Sequence, residues 1–430
     1  MTWRAACPRQ GPTTRVSSAA LSLLAGTVGL EDEETTMAGN TNLTAAREAR
    51  NDEFYTQWAD IEREMNAYLE YDPEVFRGKT ILLPCDDPEW SNFSKFFALH
   101  FTNFGLAKLI STSYAPASNA GGAFYTPTLF DDPKFDEIKD STHGKIFTLL
   151  PEDISGDGRV DIDDLQWDYL EGDGDFRSAE VTALLDEADM VITNPPFSQF
   201  TSFVSWLMEG DVQFAVIGNS NAATYNEIFP QIQANRLWKG ATGNSTDLVF
   251  RVPVGAEVKD ADREKAARMG YVSDESVTYT RLGNACWFTN IDHGRRHRPI
   301  QLMSEADNIK FSRHKAVRGV GYRRYDNYDA VEVPFLDAIP SDHEGMLGVP
   351  ITFLDKYNPE QFEILGTLES SDPDNVGRTR WYSAQDQKGA YLRRFGKEGT
   401  IPLNMSGVID DVKVFKRILI RHRNPAPKKG

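Results

Sequence analysis

Short apolar runs that end in polar or proline-rich turns alternate along the chain with segments of helical spacing, and that alternation outlines an α/β fold. Residues 43 to 71 place Phe54, Trp58, Ile61, Met65 and Leu69 three to four positions apart with charges between them. This predicts an amphipathic helix packed on the domain that follows. Lys79 to Leu83 predicts a strand that runs into the turn Pro84-Cys85-Asp86-Asp87-Pro88. Ser91 to Phe104 then predicts a helix and Leu106 to Ile110 a second strand, a β-α-β start of the doubly wound kind. Residues 115 to 172 interrupt the pattern as an insertion. It resumes with a helix over Ser178 to Glu187, a strand over Met190 to Ile192, an apolar helical segment from Phe200 to Met208 and a strand from Gln213 to Gly218. Leu248 to Val252 and Ala285 to Asn290 are predicted as late, antiparallel strands.

The strand over Met190 to Ile192 ends at Thr193-Asn194-Pro195-Pro196-Phe197. Neither proline can donate to a sheet ladder, so the chain must leave the sheet there in a stiff, extended turn. Asn194 is thereby presented at the carboxyl edge of a strand, where open α/β sheets bind ligands. Its side-chain oxygen and the Pro195 carbonyl can accept hydrogen bonds from one planar amino group, and Phe197 can stack on the ring that bears it. Asn-Pro-Pro-Phe matches the catalytic tetrapeptide of amino-group methyltransferases that use S-adenosylmethionine, although a bare tetrapeptide is also an ordinary strand-end loop. Two fixed acceptors would favour the nucleophilic form of an exocyclic amine and aim it at the methyl group.

A cofactor is expected beside the first strand. The usual Gly-rich turn is missing there, and Pro84, Cys85, Asp86 and Asp87 take its place. An aspartate in this turn suits the sulfonium or amino end of the ligand. Asp175 is the candidate to accept from the cofactor's adenine amine, with Phe176 beside the ring; in isolation, Asp175 also reads as an N-cap or a solvated loop residue.

Composition narrows this picture. At 430 residues, 40% hydrophobic and 26% charged, the chain can bury a large core in two or three domains. A net charge of −18 excludes a bulk nucleic-acid binder and confines any DNA contact to local basic patches. Three widely spaced cysteines, Cys7, Cys85 and Cys286, form neither a zinc pattern nor a disulfide framework, so a reducing cytoplasm is expected. No membrane span is expected. Residues 1–40 differ from the rest and are expected to be a disordered or spuriously included extension, with Met37 as the start; a basic start before a short apolar stretch also outlines a signal peptide.

Taken together, Leu83-Pro84-Cys85-Asp86-Asp87-Pro88-Glu89-Trp90-Ser91-Asn92-Phe93, Gly172-Asp173-Gly174-Asp175-Phe176-Arg177-Ser178 and Thr193 to Ser198 resemble the EcoRI-type adenine-specific DNA methyltransferase family. Ile217-Gly218-Asn219, Cys286 to Asn290, Tyr325 to Tyr328 and Gly348 to Tyr357 extend the likeness over roughly residues 45 to 425. The resemblance implies a Rossmann-like class I methyltransferase sheet, S-adenosylmethionine as donor and a target adenine flipped out of double-stranded DNA. The expected layout is a catalytic domain over 41–292 and a target-recognition region over 293–430, acting as a monomer on DNA within a restriction-modification system. The competing readings are an RNA-base or protein-glutamine methyltransferase, or a non-catalytic DNA-binding module.

In the second half the charge reverses locally, and Arg295, Arg296, Arg298, Arg323 and Arg324 are the expected DNA contacts, with a further basic run from Lys416 to Lys429. Within the insertion, Asp153, Ser155, Asp157, Arg159, Asp161 and Asp164 fall at positions one, three, five, seven, nine and twelve of a calcium-type loop, with Gly158 at six. A structural Ca2+ is therefore a candidate ligand, with Leu165, Trp167 and Leu170 beginning an exiting helix.

Overall fold

The computed structural model describes residues 54–88, 91–115, 134–243, 247–252, 256–369 and 373–428. The expected N-terminal extension, residues 43–53 of the first amphipathic segment, and Glu89 and Trp90 lie outside the described residues. In chain order, β1 (Tyr55–Thr56) and α1 (Trp58–Tyr71) precede β2 (Thr80–Leu83), α2 (Asn92–Leu99) and β3 (Lys108–Ser113). Next come β4 (Lys145–Leu149), β5 (Gln166–Tyr169), α3 (Ala179–Glu187), β6 (Met190–Thr193), α4 (Phe200–Glu209) and β7 (Gln213–Asn219). Then follow β8 (Trp238–Lys239), β9 (Leu248–Val252), β10 (Thr278–Leu282) and β11 (Ala285–Thr289).

Eight of these strands form one sheet in the order β5-β4-β3-β2-β6-β7-β11-β8. The four central strands are parallel. Their sequences read as near-continuous apolar runs because both sheet faces are covered. The period of two divides each run between two cores: Leu82, Val191, Phe214 and Val216 pack on one face with Val181, Leu185, Phe203 and Leu207 of α3 and α4. Ile81, Leu83, Ile192, Ala215 and Ile217 pack on the other with Ile61 and Met65 of α1 and Phe93, Phe96 and Phe97 of α2.

From β2 the chain crosses to β3 on one side, while β6 pairs with β2 on the other. The strand order thus switches between β2 and β6, and the crevice outside their carboxyl ends is where such sheets take ligands.

The insertion extends the sheet instead of interrupting it. β4 and β5 add antiparallel to the edge beyond β3, with Phe147 opposite Trp167. The helix expected after Asp164 is therefore absent: Gln166–Tyr169 alternates about a buried Trp167, which is strand spacing. The helix expected over Ser91 to Phe104 breaks at His100, and Ser91 caps its first part by accepting from the Phe93 amide. β11 is antiparallel in the main sheet, as expected, whereas β9 belongs to a separate antiparallel sheet, β1-β9-β10.

Beyond residue 290 lie β12 (Arg323–Arg324), β13 (Ala330–Glu332), β14 (Met346–Pro350), β15 (Phe362–Thr367), α5 (Ala384–Phe395), β16 (Val408–Ile409), β17 (Val412–Lys413) and β18 (Arg417–His422). A second sheet runs β12-β13-β14-β18-β15. Its inner residues Val331, Leu347, Val349, Ile418 and Ile420 share one continuous core with α3, α4 and the main sheet. The described residues accordingly fall within a single compact unit. No helix among the described residues is long and apolar enough to cross a membrane.

Candidate active site

The carboxyl ends of β2 and β6 are clipped together by Thr193 and Asp86. The Thr193 hydroxyl lies 2.8 Å from the Pro84 carbonyl oxygen and 2.5 Å from Asp86 Oδ2. Ser91 Oγ donates to Asp86 Oδ1 at 2.6 Å, the Asp86 amide donates to the Thr112 carbonyl, and Ser94 donates to the Asp86 carbonyl. Asp86 therefore ties β2, β3, β6 and the start of α2 at one point, and both its carboxyl oxygens are already engaged. Burial pushes its pKa up to about 7, against the lowering effect of the Ser91 and Thr193 hydroxyls. Asp86 acts by holding the site together; Cys85 and Asp87 on either side of it are half-buried.

Asn194 follows directly. Its Nδ2 donates to the Phe54 carbonyl at 2.5 Å, from a residue 140 positions earlier. That bond fixes the amide plane and turns Oδ1 the other way, where it is buried with no hydrogen-bond partner among the described residues. A buried acceptor left empty costs about 1–3 kcal/mol, so the position is one that a donor would satisfy. Pro195 is buried and Pro196 half-buried. Phe197 is 8% exposed and meets Phe54 (ring centroids 5.4 Å apart, 85°) and Phe250 (6.2 Å, 81°) edge to face. The short segment Phe54–Thr56 is itself held by β1–β9 pairing and by Asn92 Nδ2, which donates to the Thr56 carbonyl at 2.8 Å. This strap positions both Asn194 and Phe197.

Across the crevice, the Gly172–Phe176 loop lies against the end of β3, and the Ala115 amide donates to the Asp173 carbonyl. Gly174 has φ +86, and a Cβ there would collide with the Ser113 carbonyl, so this approach requires glycine. Cys85 takes φ +70 on the facing turn. The crevice is negatively biased: the Cys85 thiol is pushed up to about 12 by burial and then by Asp86 and Asp175. The Tyr114 hydroxyl is likewise pushed up to about 12, by burial and then by Asp173 and Asp175. The expected cofactor residues Pro84 to Asp87 and Asp175 are thus brought to one place. Asp175, however, is bound in a fork by Arg177 (Nε to Oδ1 2.9 Å, Nη2 to Oδ2 2.5 Å), which lowers its pKa. Phe176 is a core residue, packed on Phe203 and Trp206 with 3% exposure, not an open ring beside a ligand.

The expected DNA contacts divide differently. Ala285 pairs with Asn219 at the end of β7, and Thr289 with Ala215 near its start. The chain after β11 therefore emerges at the amino end of the parallel strands, opposite Asn194. α1 spans the gap: the Phe54 strap before it touches Asn194, while Tyr71 at its far end stacks on His297 (5.3 Å, 8°). Its 14 residues measure about 21 Å. Arg296 is buried there, donating to Asn235 Oδ1 and Asp292 with its guanidinium 3.5 Å from the Trp238 ring centroid, which is a structural role. Arg295 donates to the Ala241 carbonyl at 2.6 Å. Arg295 and Arg298 line a cleft of about 750 Å³ with Tyr71 and Lys356, remote from Asn194. Arg323 and Arg324 are exposed and paired with Asp410 and Asp329.

The calcium reading finds no support. Asp164 accepts from the Ile154, Ser155 and Asp161 amides, Asp153 from Gly156 and Gly158, Asp157 from Arg159, and Asp161 from Asp163. The carboxylates fold onto their own loop. No group of three or more metal-ligating side chains converges among the described residues. Ser155 and Arg159 are exposed loop residues.

Sequence reasoning missed the Phe54 strap and the Asp86–Thr193–Ser91 clip. Phe54 was legible only as one position of a helical stripe, and nothing in its spacing points across 140 residues to Asn194.

A mixed sheet with four central parallel strands, a negatively biased crevice and an aimed, unsatisfied amide acceptor at its switch point is consistent with a mixed α/β transferase of the methyltransferase kind. The family described as adenine-specific methyltransferase EcoRI matches residues 42–423, and the chain belongs to it. The chain is 36% identical over 339 residues to the type II methyltransferase M.EcoRI of Escherichia coli, covering 79% of this chain and 93% of that protein. It is 33% identical over 323 residues to the type II methyltransferase M.MpnI of Mycoplasma pneumoniae, covering 75% and 84%. A third relative, M.MgeORF184P of Mycoplasma genitalium, is 32% identical over 323 residues. No solved structure matches the chain. Membership makes the protein an adenine-specific methyltransferase and implies S-adenosylmethionine as methyl donor and DNA as substrate.

Proposed function

We propose that the chain methylates the exocyclic amino group of a flipped adenine in double-stranded DNA, as the modification enzyme of a type II restriction-modification system. In this reading the main sheet is a class I, Rossmann-like methyltransferase sheet, and the enzyme works in the cytoplasm as a monomer on DNA. The observation that carries it is the empty Asn194 Oδ1 at the β2/β6 switch point. Asn194 Oδ1 and the Pro195 carbonyl accept hydrogen bonds from the two amine N–H groups, drawing the nitrogen lone pair out of conjugation with the ring. Phe197, held by Phe54 and Phe250, buttresses the base, and Pro196 stiffens the turn.

The residues present fit S-adenosylmethionine, which supplies an activated methyl group on a sulfonium cation. The bias created by Asp173 and Asp175 suits that cation, and the backbone at Cys85 and Gly174 allows close approach. Cys85 and Asp87 would line its amino-acid end and Asp175 its other end, with Pro84 and Asp86 fixing the turn. The target amine is buried in a duplex stack, so the base must be extruded before it can reach Asn194. Exposed Arg323 and Arg324 can exchange their surface carboxylates for phosphates, because such pairs are worth little.

The test is transfer of labelled methyl to DNA, RNA and protein in parallel. DNA is expected to be labelled, and Asn194→Ala is expected to lose about 10²-fold or more in turnover with donor affinity near wild type. Labelling of RNA or protein alone, or full turnover in the variant, refutes the assignment.

A further inference from the structure

The expected DNA contacts leave open which surface reads the sequence, because Arg295, Arg296 and Arg298 lie at the far end of the sheet. A different surface stands out on two independent counts. Of the eighteen large apolar side chains exposed among the described residues, seven fall between 376 and 415: Val376, Trp381, Leu392, Phe395, Met405, Val412 and Phe415. The same stretch reverses the charge of the chain. Seven basic residues stand against four acidic ones between 376 and 415, in a protein of net charge −18. Exposed apolar side chains concentrated on a basic surface mark a covered interface, and the sign of the charge selects the partner.

α5 is the longest element of this stretch. Ser383 and Asp386 form a capping box at its start, and Gly396 closes it in the left-handed conformation, so its ends are well defined. Yet its only buried residue is Ala390, which sits on a small core of Tyr382, Ile401, Leu403 and Val408. The opposite stripe, Gln385, Lys388, Leu392 and Phe395, recurs at three- and four-residue spacing and points outward. Leu392 is 52% and Phe395 47% exposed. Lys388, Arg394 and Lys397 make no ion pair among the described residues, while Arg380 and Arg393 hold only exposed ones, with Asp386 and Asp411.

This stretch also stands on the correct side of the molecule. Arg393 pairs with Asp411 at 2.6 Å, and five residues on, Lys416 lies 3.5 Å from Thr224. Thr224 belongs to the turn that leaves the carboxyl end of β7, the edge that bears Asn194. Five residues reach at most about 18 Å, well inside one turn of duplex, about 34 Å.

We infer that α5 and the apolar-basic layer around it form the surface that reads duplex DNA, with α5 presented to the major groove. This rests on the DNA methyltransferase reading. Gln385 and Lys388 carry the donor and acceptor chemistry for base edges, Leu392 and Phe395 supply apolar surface for thymine methyls, and Arg394 and Lys397 reach phosphates.

The test uses the full chain. Wild type is first assayed for methyl transfer to DNA; absence of transfer would remove the functional reading itself. Given transfer, Lys388→Ala/Arg394→Ala is expected to bind cognate duplex about tenfold or more weakly, with a salt slope shallower by about one to two. Gln385→Ala is expected to relax base discrimination at one position, and Lys388→Arg to restore most of the affinity. Donor affinity and melting temperature should stay at wild-type values throughout. Wild-type DNA affinity and discrimination in all these variants overturn the proposal. So does a Leu392→Ser/Phe395→Ser variant that turns a dimer into a monomer in sedimentation while binding DNA unchanged, since the face would then be covered by a second copy of the chain.

Discussion

Asp86→Asn tests the clip that holds the two halves of the site together. The Thr193 hydroxyl has one proton but faces two acceptors, the Pro84 carbonyl at 2.8 Å and Asp86 Oδ2 at 2.5 Å. Both contacts are satisfied together when Asp86 itself carries a proton and donates it to Thr193, which agrees with a pKa pushed up to about 7 by burial. An asparagine amide reproduces that donor without a titration. In the wild type, the folded chain keeps a proton between the ordinary aspartate pKa of 3.8 and about 7, where the unfolded chain has released it. Stability from this group is therefore fully present below 3.8 and is lost as pH rises through about 7, at up to about 1.4 kcal/mol per pH unit. Between pH 5 and pH 8 the wild type should lose about 2–3 kcal/mol relative to Asp86→Asn. Urea unfolding of both proteins at half-unit pH steps measures the difference directly, and other titrating groups cancel in it. A difference that stays flat over this range, or one that favours the wild type as pH rises, would refute a protonated Asp86.

Two further substitutions separate holding from contact. Phe54→Ala removes the ring that braces Phe197 and loosens the strap whose carbonyl aims Asn194; kcat should fall about tenfold with donor affinity unchanged, and Phe54→Tyr should restore it. Unchanged kcat in a folded Phe54→Ala variant would remove the strap from the site. Arg296→Ala should lower stability by about 2 kcal/mol, through the lost Trp238 contact and hydrogen bonds, while leaving DNA affinity intact. A wild-type melting curve with weakened DNA binding would return Arg296 to the DNA contacts.

The strand-to-Asn-Pro-Pro-Phe turn, the central parallel strands and α3 and α4 were legible because each is local: an apolar run, a proline and a cap suffice. The insertion misled because its Gly-Asp pattern fits a cation loop as well as a string of self-capped turns, and only pairing with Phe147 reveals that Trp167 lies in a strand. Phe176 looked like a ligand neighbour for the same reason. A Gly-Asp-Phe segment carries no sign of whether its ring turns outward or into Phe203 and Trp206. Arginines were harder still. Arg296 and Arg394 are alike as letters, but one packs on Trp238 and the other stands on an exposed helix turn.

The tie between Phe54 and Asn194 sets an order of assembly. β1 finds its hydrogen-bonding partner in β9, at Phe250 and Arg251, so the strap cannot dock until that strand exists. On a ribosome, Asn194 emerges first into a chain whose aiming carbonyl is still unattached, and the site becomes competent only after at least 58 further residues have been added, the distance from Asn194 to Val252 at the end of β9. At roughly 5–20 residues per second, that is an interval of about 3–12 seconds. A nascent chain released early, or cut before β9, would carry an intact Asn-Pro-Pro-Phe turn and still transfer no methyl group.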